Sequence, residues 1–336
     1  MKLDPQFCPS VTVLVSVHNE EKIIQNRLRN IAEVSYPKEK MEVILIDDAS
    51  SDETLSKVND FVGNNPQLNI KIIKQRQRMG KAKALNKGLE ASSNDLIVET
   101  DADVFWPPDV LSKAIPYISD PTIGAISGKG MLLNPGKSWV TKGEESYMSF
   151  MSVWRLGESK IHSTLRFEGC FSIFRKAAFD KFDESGADDS GTALQITQNK
   201  FRTILVPEAY VWGDIPSRLE GRTRIKMRRA IHLTGIWFRC LKFLFERRLV
   251  LPKRIAVPEI ILSILIPFVF VSLVFSTFVL LVFHPIFLVP LIALLCIIYL
   301  IPKARSYFVQ GILDQFILFC AVILSTRKRK YAVWER

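Results

Sequence analysis

The sequence predicts an α/β protein, a mainly parallel sheet with helices on both faces, followed by interfacial and transmembrane helices at the C-terminal end. Three observations predict it. Short apolar runs alternate with helical segments between residues 11 and 100, the runs end in polar and acidic clusters, and the sequence beyond Val257 is dominated by long apolar stretches. With 336 residues and 48% hydrophobic content, the chain is long enough for one large domain or two ordinary ones and too apolar to be disordered.

The elements follow in order. "VTVLVSV" (11–17) reads as a strand, Asn19 can cap a helix running through Ile31, and "EVILI" (42–46) is a second strand. Ser51 or Asp52 starts a second helix. "NIKII" (69–73), a helix from about Gly80 to Ala91, and "DLIVET" (95–100) complete the pattern, and Pro107 with Pro108 turns the chain into the next helix, with Asp109 in its first turn. In such sheets ligands bind beyond the carboxyl ends of the strands. Those ends read "SVHNEE", "IDDAS" and "ETDAD", which gathers Asn19, Glu20, Asp47, Asp48, Asp101 and Asp103 on one edge.

Clustered carboxylates repel unless a cation or hydrogen-bond donors compensate them. A nucleotide diphosphate with a divalent ion supplies both. Mg²⁺ or Mn²⁺ takes one or two carboxylates and completes its octahedron with phosphate oxygens and water, a demand that Asp101 and Asp103 fit. Helix capping is the competing use for such acids, and Asp52 reads as a cap. Glu99 has no assignment.

From Val257 the run "VPEIILSILIPFVFVSLVFSTFVLLVF" carries Glu259 as its only charge, and a second run from Phe283 to Ile301 carries none. A hydrocarbon core about 30 Å thick needs roughly 20 apolar residues of helix, so spans are expected at about 258–282 and 284–302. Lys303 and Arg305 follow the second, Arg327, Lys328, Arg329 and Lys330 sit near the end, and the turn between the spans has no Lys or Arg. From this bias and a start without a leader-like pattern, the first 250 residues are expected in the cytoplasm and the chain is expected to be an integral membrane protein. The segment 307–324, interrupted by Gln310, Asp314 and Gln315, is expected as an in-plane or re-entrant helix rather than a third span. Five scattered cysteines argue against disulfides and a zinc site.

The net charge of +11 is concentrated between Ile215 and Arg254, where twelve Lys or Arg face two acids. Interleaved Trp237, Phe238, Phe243 and Phe245 make this a helix on an anionic membrane surface, with Trp237 and the phenylalanines below the headgroups, rather than a nucleic-acid-binding patch. The expected organisation is a catalytic domain over 1–221, a basic interfacial region over 222–254 and a membrane region over 255–336.

"VSVHNEE", "ILIDDASSDET", "GKAKALNKGL" and "ETDADVFWPPD", in this order, resemble the family-two nucleotide-sugar glycosyltransferases, inverting enzymes with the Rossmann-like GT-A fold. "FEGCFSIFRKAAF" (167–179) resembles the acceptor-side Gly-x-x-x-x-x-Arg stretch. Asp188-Asp189 resembles the motif that holds the general base. The resemblance covers roughly residues 10–240. It implies that Val17, His18 and Glu20 line the nucleotide pocket, with His18 where many relatives have proline, and that Asp48 accepts from the base. It further implies Lys81 near the diphosphate, Asp101 facing ribose or sugar, Asp103 on the metal and Asp189 as general base, with Asp188 its partner or an N-cap.

Polysaccharide-extending relatives such as cellulose and hyaluronan synthases carry Gln-x-x-Arg-Trp after the base motif, whereas this chain has "IKMRR" (225–229). Arg228 is kept, but the tryptophan that would stack on a growing chain is lost. Transfer of one hexose per encounter, from a UDP-sugar in preference, to a lipid or lipid-linked hydroxyl is therefore expected. A polyprenyl-phosphate acceptor, whose oxygen is already ionised and needs no strong base, a polysaccharide-extending synthase, and a membrane-tethered scaffold that binds nucleotide-sugar without catalysis are the alternatives.

Overall fold

Two strands of the first unit are buried along their whole length and a third at every position but Ser16, which is why they read as largely apolar runs rather than as alternating ones. In the computed structural model, which describes residues 3–185, 187–216 and 218–326, the chain forms two units. The first comprises the residues up to Leu133 and Phe150–Asp214, the second Asn134–Ser149 and the residues from Ile215 onward.

The first unit holds β1 (Val11–Val17), α1 (Ile24–Ala32), β2 (Met41–Asp47), α2 (Thr54–Asn64), β3 (Ile70–Lys74), α3 (Lys81–Ala91) and β4 (Leu96–Thr100). After β5 (Val104–Phe105), α4 (Val110–Ile118) and β6 (Ile123–Leu132), the helix α5 (Trp139–Ile161) begins in the second unit and ends in the first, which β7 (Ser172–Arg175), α6 (Asp188–Gln198) and β8 (Arg202–Gly213) complete. The eight strands form one sheet in the order β3-β2-β1-β4-β7-β6-β8-β5. The β3-β2-β1-β4 half is parallel, as the sequence predicts. The other half is mixed: β7 runs antiparallel to both β4 and β6, β8 is parallel to β6, and β5 pairs antiparallel with β8.

Odd-numbered β1 residues, Val11 to Val17, pack with α1 and α4 on one face of the sheet, around Leu28, Ile31, Leu111 and Ile115. On the other face α3 comes close because residue 88 is glycine: a Cβ there would lie 2.8 Å from Ile46 Cδ1 and 2.9 Å from Leu14 Cδ2. Asn19 does not cap the following helix. It adopts a left-handed φ of 57°, its side chain accepts from the Ser51 N–H at 2.8 Å, and α1 starts only at Ile24. Asp52 caps locally, accepting from the Thr54 N–H at 3.0 Å.

In the second unit, α7 (Leu219–Phe245) carries the basic segment, followed by α8 (Lys253–Ile260), a π turn over Ile261–Leu265, α9 (Ile266–Phe283), α10 (Leu288–Leu300) and α11 (Pro302–Thr326). Trp237 departs from its expected place below the headgroups. It is fully buried within the protein, while Phe245 is 77% exposed. By length and composition, Lys253–Phe283 and Phe308–Thr326 are long and apolar enough to cross a membrane. The helix α10 is shorter than the expected second span: at 1.5 Å per residue it is about 20 Å long, and it ends because Ile301 precedes Pro302 and is extended.

The segment expected to lie in-plane or to re-enter forms one continuous helix, and its polar interruptions have partners. Asp314 Oδ1 accepts from Lys226 Nζ and from Gln310 Nε2, both at 2.8 Å. Lys226 also lies 3.1 Å from Glu144 Oε2, and Glu144 pairs with the buried Arg222. Ala230 and Ile231 of α7 pack beside this network on Ile317 and Ala321 of α11. The expected basic tail at Arg327, Lys328, Arg329 and Lys330 lies outside the described residues.

Candidate active site

A cleft of about 490 Å³ opens at the carboxyl ends of β1, β2 and β4 in the first unit. Val17, His18, Glu20, Asp48, Lys81, Asp101 and Asp103 all line it, so the predicted donor-side residues come together. Arg78 lines it too, an exposed guanidinium in the basic loop before α3 that the sequence reading passed over.

Backbone pairing sets the floor of the cleft. The Asp48 N–H donates to the Val17 carbonyl at 2.8 Å, and His18 Nδ1 donates to the Asp48 carbonyl at 2.8 Å. The Asp48 side chain, 4% exposed, faces the start of α3: Oδ1 accepts from the Met79 N–H at 2.7 Å and Oδ2 from the Gly80 N–H at 2.8 Å. Gly80 has φ of 91°, a conformation that favours glycine, and turns the chain so that Lys81 begins the helix. A carboxylate at a helix N-terminus is also favoured by the helix dipole.

Lys81 does not reach out freely toward a diphosphate. Its ammonium lies 2.9 Å from Glu99 Oε1, 2.8 Å from Asp101 Oδ1 and 3.0 Å from Asp188 Oδ2, with only 11% of the side chain exposed. Burial opposes its charge, but Asp101, Asp188 and Glu99 outweigh it and hold the lysine well above its ordinary range. Burial pushes the Glu99 carboxyl up. It acts the same way on Asp188, where Lys81 and hydrogen bonds overcome it and the net shift is downward. Gly169 closes this cluster, since a Cβ there would sit 2.6 Å from the ammonium. The glycine that begins the acceptor-side motif thus makes room for the lysine.

Asp188 is the first residue of α6 and Asp189 the second, with Asp189 Oδ1 accepting from the Ser190 N–H at 2.5 Å. Asp188 therefore joins the acid cluster, and Asp189 is half-buried beside it in sequence. Arg228 lies half-buried on α7, in the second unit.

The loop carrying Asp101 and Asp103 is held from below by a residue the sequence reading missed. Arg27, 2% exposed, donates to Thr100 Oγ1 at 2.6 Å and to Asn30 Oδ1 at 2.7 Å, and its guanidinium carbon lies 4.4 Å from the centre of the Trp106 ring. Asn30 brackets Trp106 through both backbone groups, and the Trp106 indole and Thr100 hydroxyl both donate to the Cys170 carbonyl. Burial lowers the Arg27 guanidinium, while Asp101 and Asp103 favour its charge. Its signal was present: Ile24, Arg27, Leu28 and Ile31 form the buried stripe of α1, so a charged residue stands where the period demands an apolar one. Next to the Gly169 motif, buried Arg155 pairs with Glu168 and donates to Ser127 Oγ at 2.6 Å, while Glu168 Oε2 accepts from the Gly130 N–H at 3.0 Å.

Asp101 and Asp188 together outweigh the one ammonium between them, an excess of negative charge that suits a divalent cation. Among the described residues, no three or more His, Cys, Asp or Glu side chains converge as an all-protein metal cage. Hard oxygen ligands from Asp101 and Asp103, completed by substrate phosphate and water, are the donor set Mg²⁺ or Mn²⁺ accepts.

The solved structure of the mannosyltransferase PcManGT from Pyrobaculum calidifontis, in complex with GDP-Man and Mn²⁺, is similar over 97% of this chain and 90% of its own, with a TM-score of 0.82 and 28% identity. The probable glycosyltransferase YdaM of Bacillus subtilis is 27% identical across 71% of this chain and 58% of its own length. The beta-monoglucosyldiacylglycerol synthase of a Synechocystis strain is 30% identical across 42% of this chain and 29% of its own length. Curated relatives include both glycolipid and polysaccharide synthases, and the chain spans about half the length of most of those it matches. The profile of Glycosyl transferase family 2 matches residues 12–182, just over half the chain. With that match, the α/β sheet and the cleft at its strand ends, the chain belongs to glycosyl transferase family 2 and is a glycosyltransferase.

Proposed function

We propose that this chain is an inverting, metal-dependent hexosyltransferase that moves one sugar per encounter from a nucleotide-sugar to a lipid or lipid-linked hydroxyl at the membrane. The observation that carries the reading is the juxtaposition, through Lys81, of Asp101 at the end of β4 with Asp188 at the start of α6. It puts the proposed donor-binding and base-bearing segments side by side. Two helices long and apolar enough to cross a membrane support the membrane setting, as does the likeness to a glycolipid synthase. The expected UDP-sugar gives way here to GDP-mannose as the first donor to test, because the relative similar over nearly the whole chain holds GDP-Man and Mn²⁺.

Val17, His18 and Glu20 line the nucleotide pocket in this reading, and Asp101 and Asp103 hold the metal. The metal would offset charge that builds on the departing diphosphate. Arg78 takes the position facing the diphosphate that Lys81, held among three acids, does not fill. Asp48 both orients the start of α3 and retains lone pairs for the base. An acceptor hydroxyl is a poor nucleophile at neutral pH, and Asp189, half-buried at the start of α6, takes its proton. Arg228 keeps its catalytic assignment on the resemblance alone. The "IKMRR" segment, without an aromatic platform, supports single transfers. The proposed organisation keeps the catalytic domain (1–221) in the cytoplasm, followed by the basic region (222–254), whose exposed Arg224, Lys242 and Phe245 suit anionic headgroups, and the membrane region (255–336).

The test is mass spectrometry of lipids after incubating the protein in native membranes with a panel of GDP- and UDP-sugars. A lipid heavier by one hexose is expected. Only long water-soluble polymers, or no product with any donor, would refute it. The Asp189→Asn variant should lose transfer by at least about 100-fold while binding donor normally, and retained turnover would remove Asp189 as the base.

A further inference from the structure

Glu99 stands outside the donor, metal and base assignments, yet it is the most deeply buried acid of the cluster. Its side chain is fully buried, against 21% exposure for Asp101 and 18% for Asp188. Its backbone lies in the interior of the sheet, paired with Leu14 of β1 on one side and Ser172 of β7 on the other. It therefore has no freedom to move with a ligand. Asp101 follows two residues later, and alternate positions of a strand project from the same face.

Lys81 is the opposite kind of group, an ammonium on a flexible four-carbon stem. Its backbone is fixed by the grip of Asp48 on Met79 and Gly80, and its tip is capped by Gly169. What remains is to decide which way the tip points. Asp101 and Asp188 are partly exposed and belong to segments that meet substrate in the reading above, so neither is a fixed anchor. Glu99 is.

We infer that Glu99 is a positioning residue for glycosyl transfer: it anchors the Lys81 ammonium so that this one cation ties Asp101 at the end of β4 to Asp188 at the start of α6. Resting on the proposed function, this gives the otherwise idle carboxylate a role in aligning donor and acceptor sides. Glu99 touches no substrate and acts through Lys81.

The test is a double-mutant cycle on the full-length protein in detergent or nanodiscs, with GDP-mannose or UDP-glucose and membrane lipids, measuring turnover, donor KM and direct donor binding. Glu99→Gln keeps the shape of the side chain and replaces one carboxyl oxygen with an amide nitrogen. Its kcat should fall about 10- to 100-fold, the loss expected of a displacement near 1 Å, with donor KM changed less than about 3-fold. Because Glu99 works through Lys81, Glu99→Gln added to Lys81→Met should cost no more than about a further 2-fold. A merely structural role would instead lower the melting temperature and add its loss to that of Lys81→Met.

Glu99→Asp serves if Lys81→Met does not fold: it keeps the carboxyl but withdraws it by one methylene, and should also lose about 10-fold in kcat. Additive losses, or a wild-type kcat in Glu99→Gln or Glu99→Asp, overturn this inference alone. A wild-type protein that neither binds nor turns over any donor overturns the functional reading and this inference together.

Discussion

Replacing Asp48 with alanine separates the stability of the donor cleft from its chemistry. The carboxylate accepts two backbone N–H groups, Met79 at 2.7 Å and Gly80 at 2.8 Å, and is itself 4% exposed. A hydrogen bond to a charged group contributes about 1.5–3 kcal/mol, so removing both removes about 3–6 kcal/mol at most. The Gly80 N–H is buried and stays unsatisfied, while the partly buried Met79 N–H can recover water, which brings the expected cost to about 2–4 kcal/mol. For a domain of 150–250 residues, each kcal/mol moves Tm by about 2–4 °C, so a drop of roughly 6–12 °C is expected for a loss near 3 kcal/mol. Asp48→Asn retains one acceptor and turns an amide against the other N–H, and should fall about halfway. Tryptophan fluorescence reads the transition, since Trp106 is fully buried in the same unit. In the variants that fold, donor affinity should weaken as well, because in the proposed reading Asp48 meets the base and the loop it holds carries Arg78. An Asp48→Ala protein that melts within about 2 °C of the parent would refute the claim that this carboxylate holds the α3 turn.

Chelation should abolish turnover, with recovery on adding Mn²⁺ or Mg²⁺, and Asp103→Asn should raise the metal concentration needed for half-activity by at least about 10-fold; activity unaffected by chelator would remove the metal from the reaction. Burial pushes the Glu144 carboxyl up, but Arg222 and Lys226 prevail and its net shift is downward. Its contribution to stability is therefore fully present above the unfolded carboxylate value near 4.3 and is lost as pH falls through the lower folded value. Glu144→Gln should cost about 3–5 kcal/mol at neutral pH by stranding the buried Arg222, and the gap between parent and variant in thermal melts should close on acidification; a gap that widened toward acid would contradict the sign.

The parallel half of the sheet was legible because β1, β2 and β4 are central and buried on both faces, and the run 11–17 coincides with β1; only β3 lies at the edge and is half-exposed. The mixed half was not. In β6 the register shifts between Ile123 and Ala125 and again between Ser127 and Lys129, so no two-residue alternation survives, and Gly128 is needed because a Cβ would lie 2.4 Å from the Ala209 carbonyl oxygen. The strand ends revealed the donor-side acids, since topology alone brings those positions together. What they could not reveal was orientation. Nothing local says that Lys81 turns inward to Glu99, that Asp48 faces the Gly80 turn, or that Trp237 is buried rather than lipid-facing, because each depends on a neighbour distant in sequence. Arg27 and Glu99 were readable in a weaker sense, as charges standing in apolar stripes.

The contacts between α7 and α11 bear on how a largely apolar helix knows its orientation. Apolar side chains in a hydrocarbon surround are nearly indifferent to rotation about the helix axis, because lipid tails satisfy them from every direction. A turn of α11 by a single residue position, about 100°, would carry Asp314 away from Lys226 and leave it with Gln310 of its own helix as its remaining partner here, while Lys226 kept Glu144. The pair with Glu144 behind it thus acts as a detent: it gives an otherwise featureless greasy cylinder one preferred angle, and fixes which side of it α7 meets.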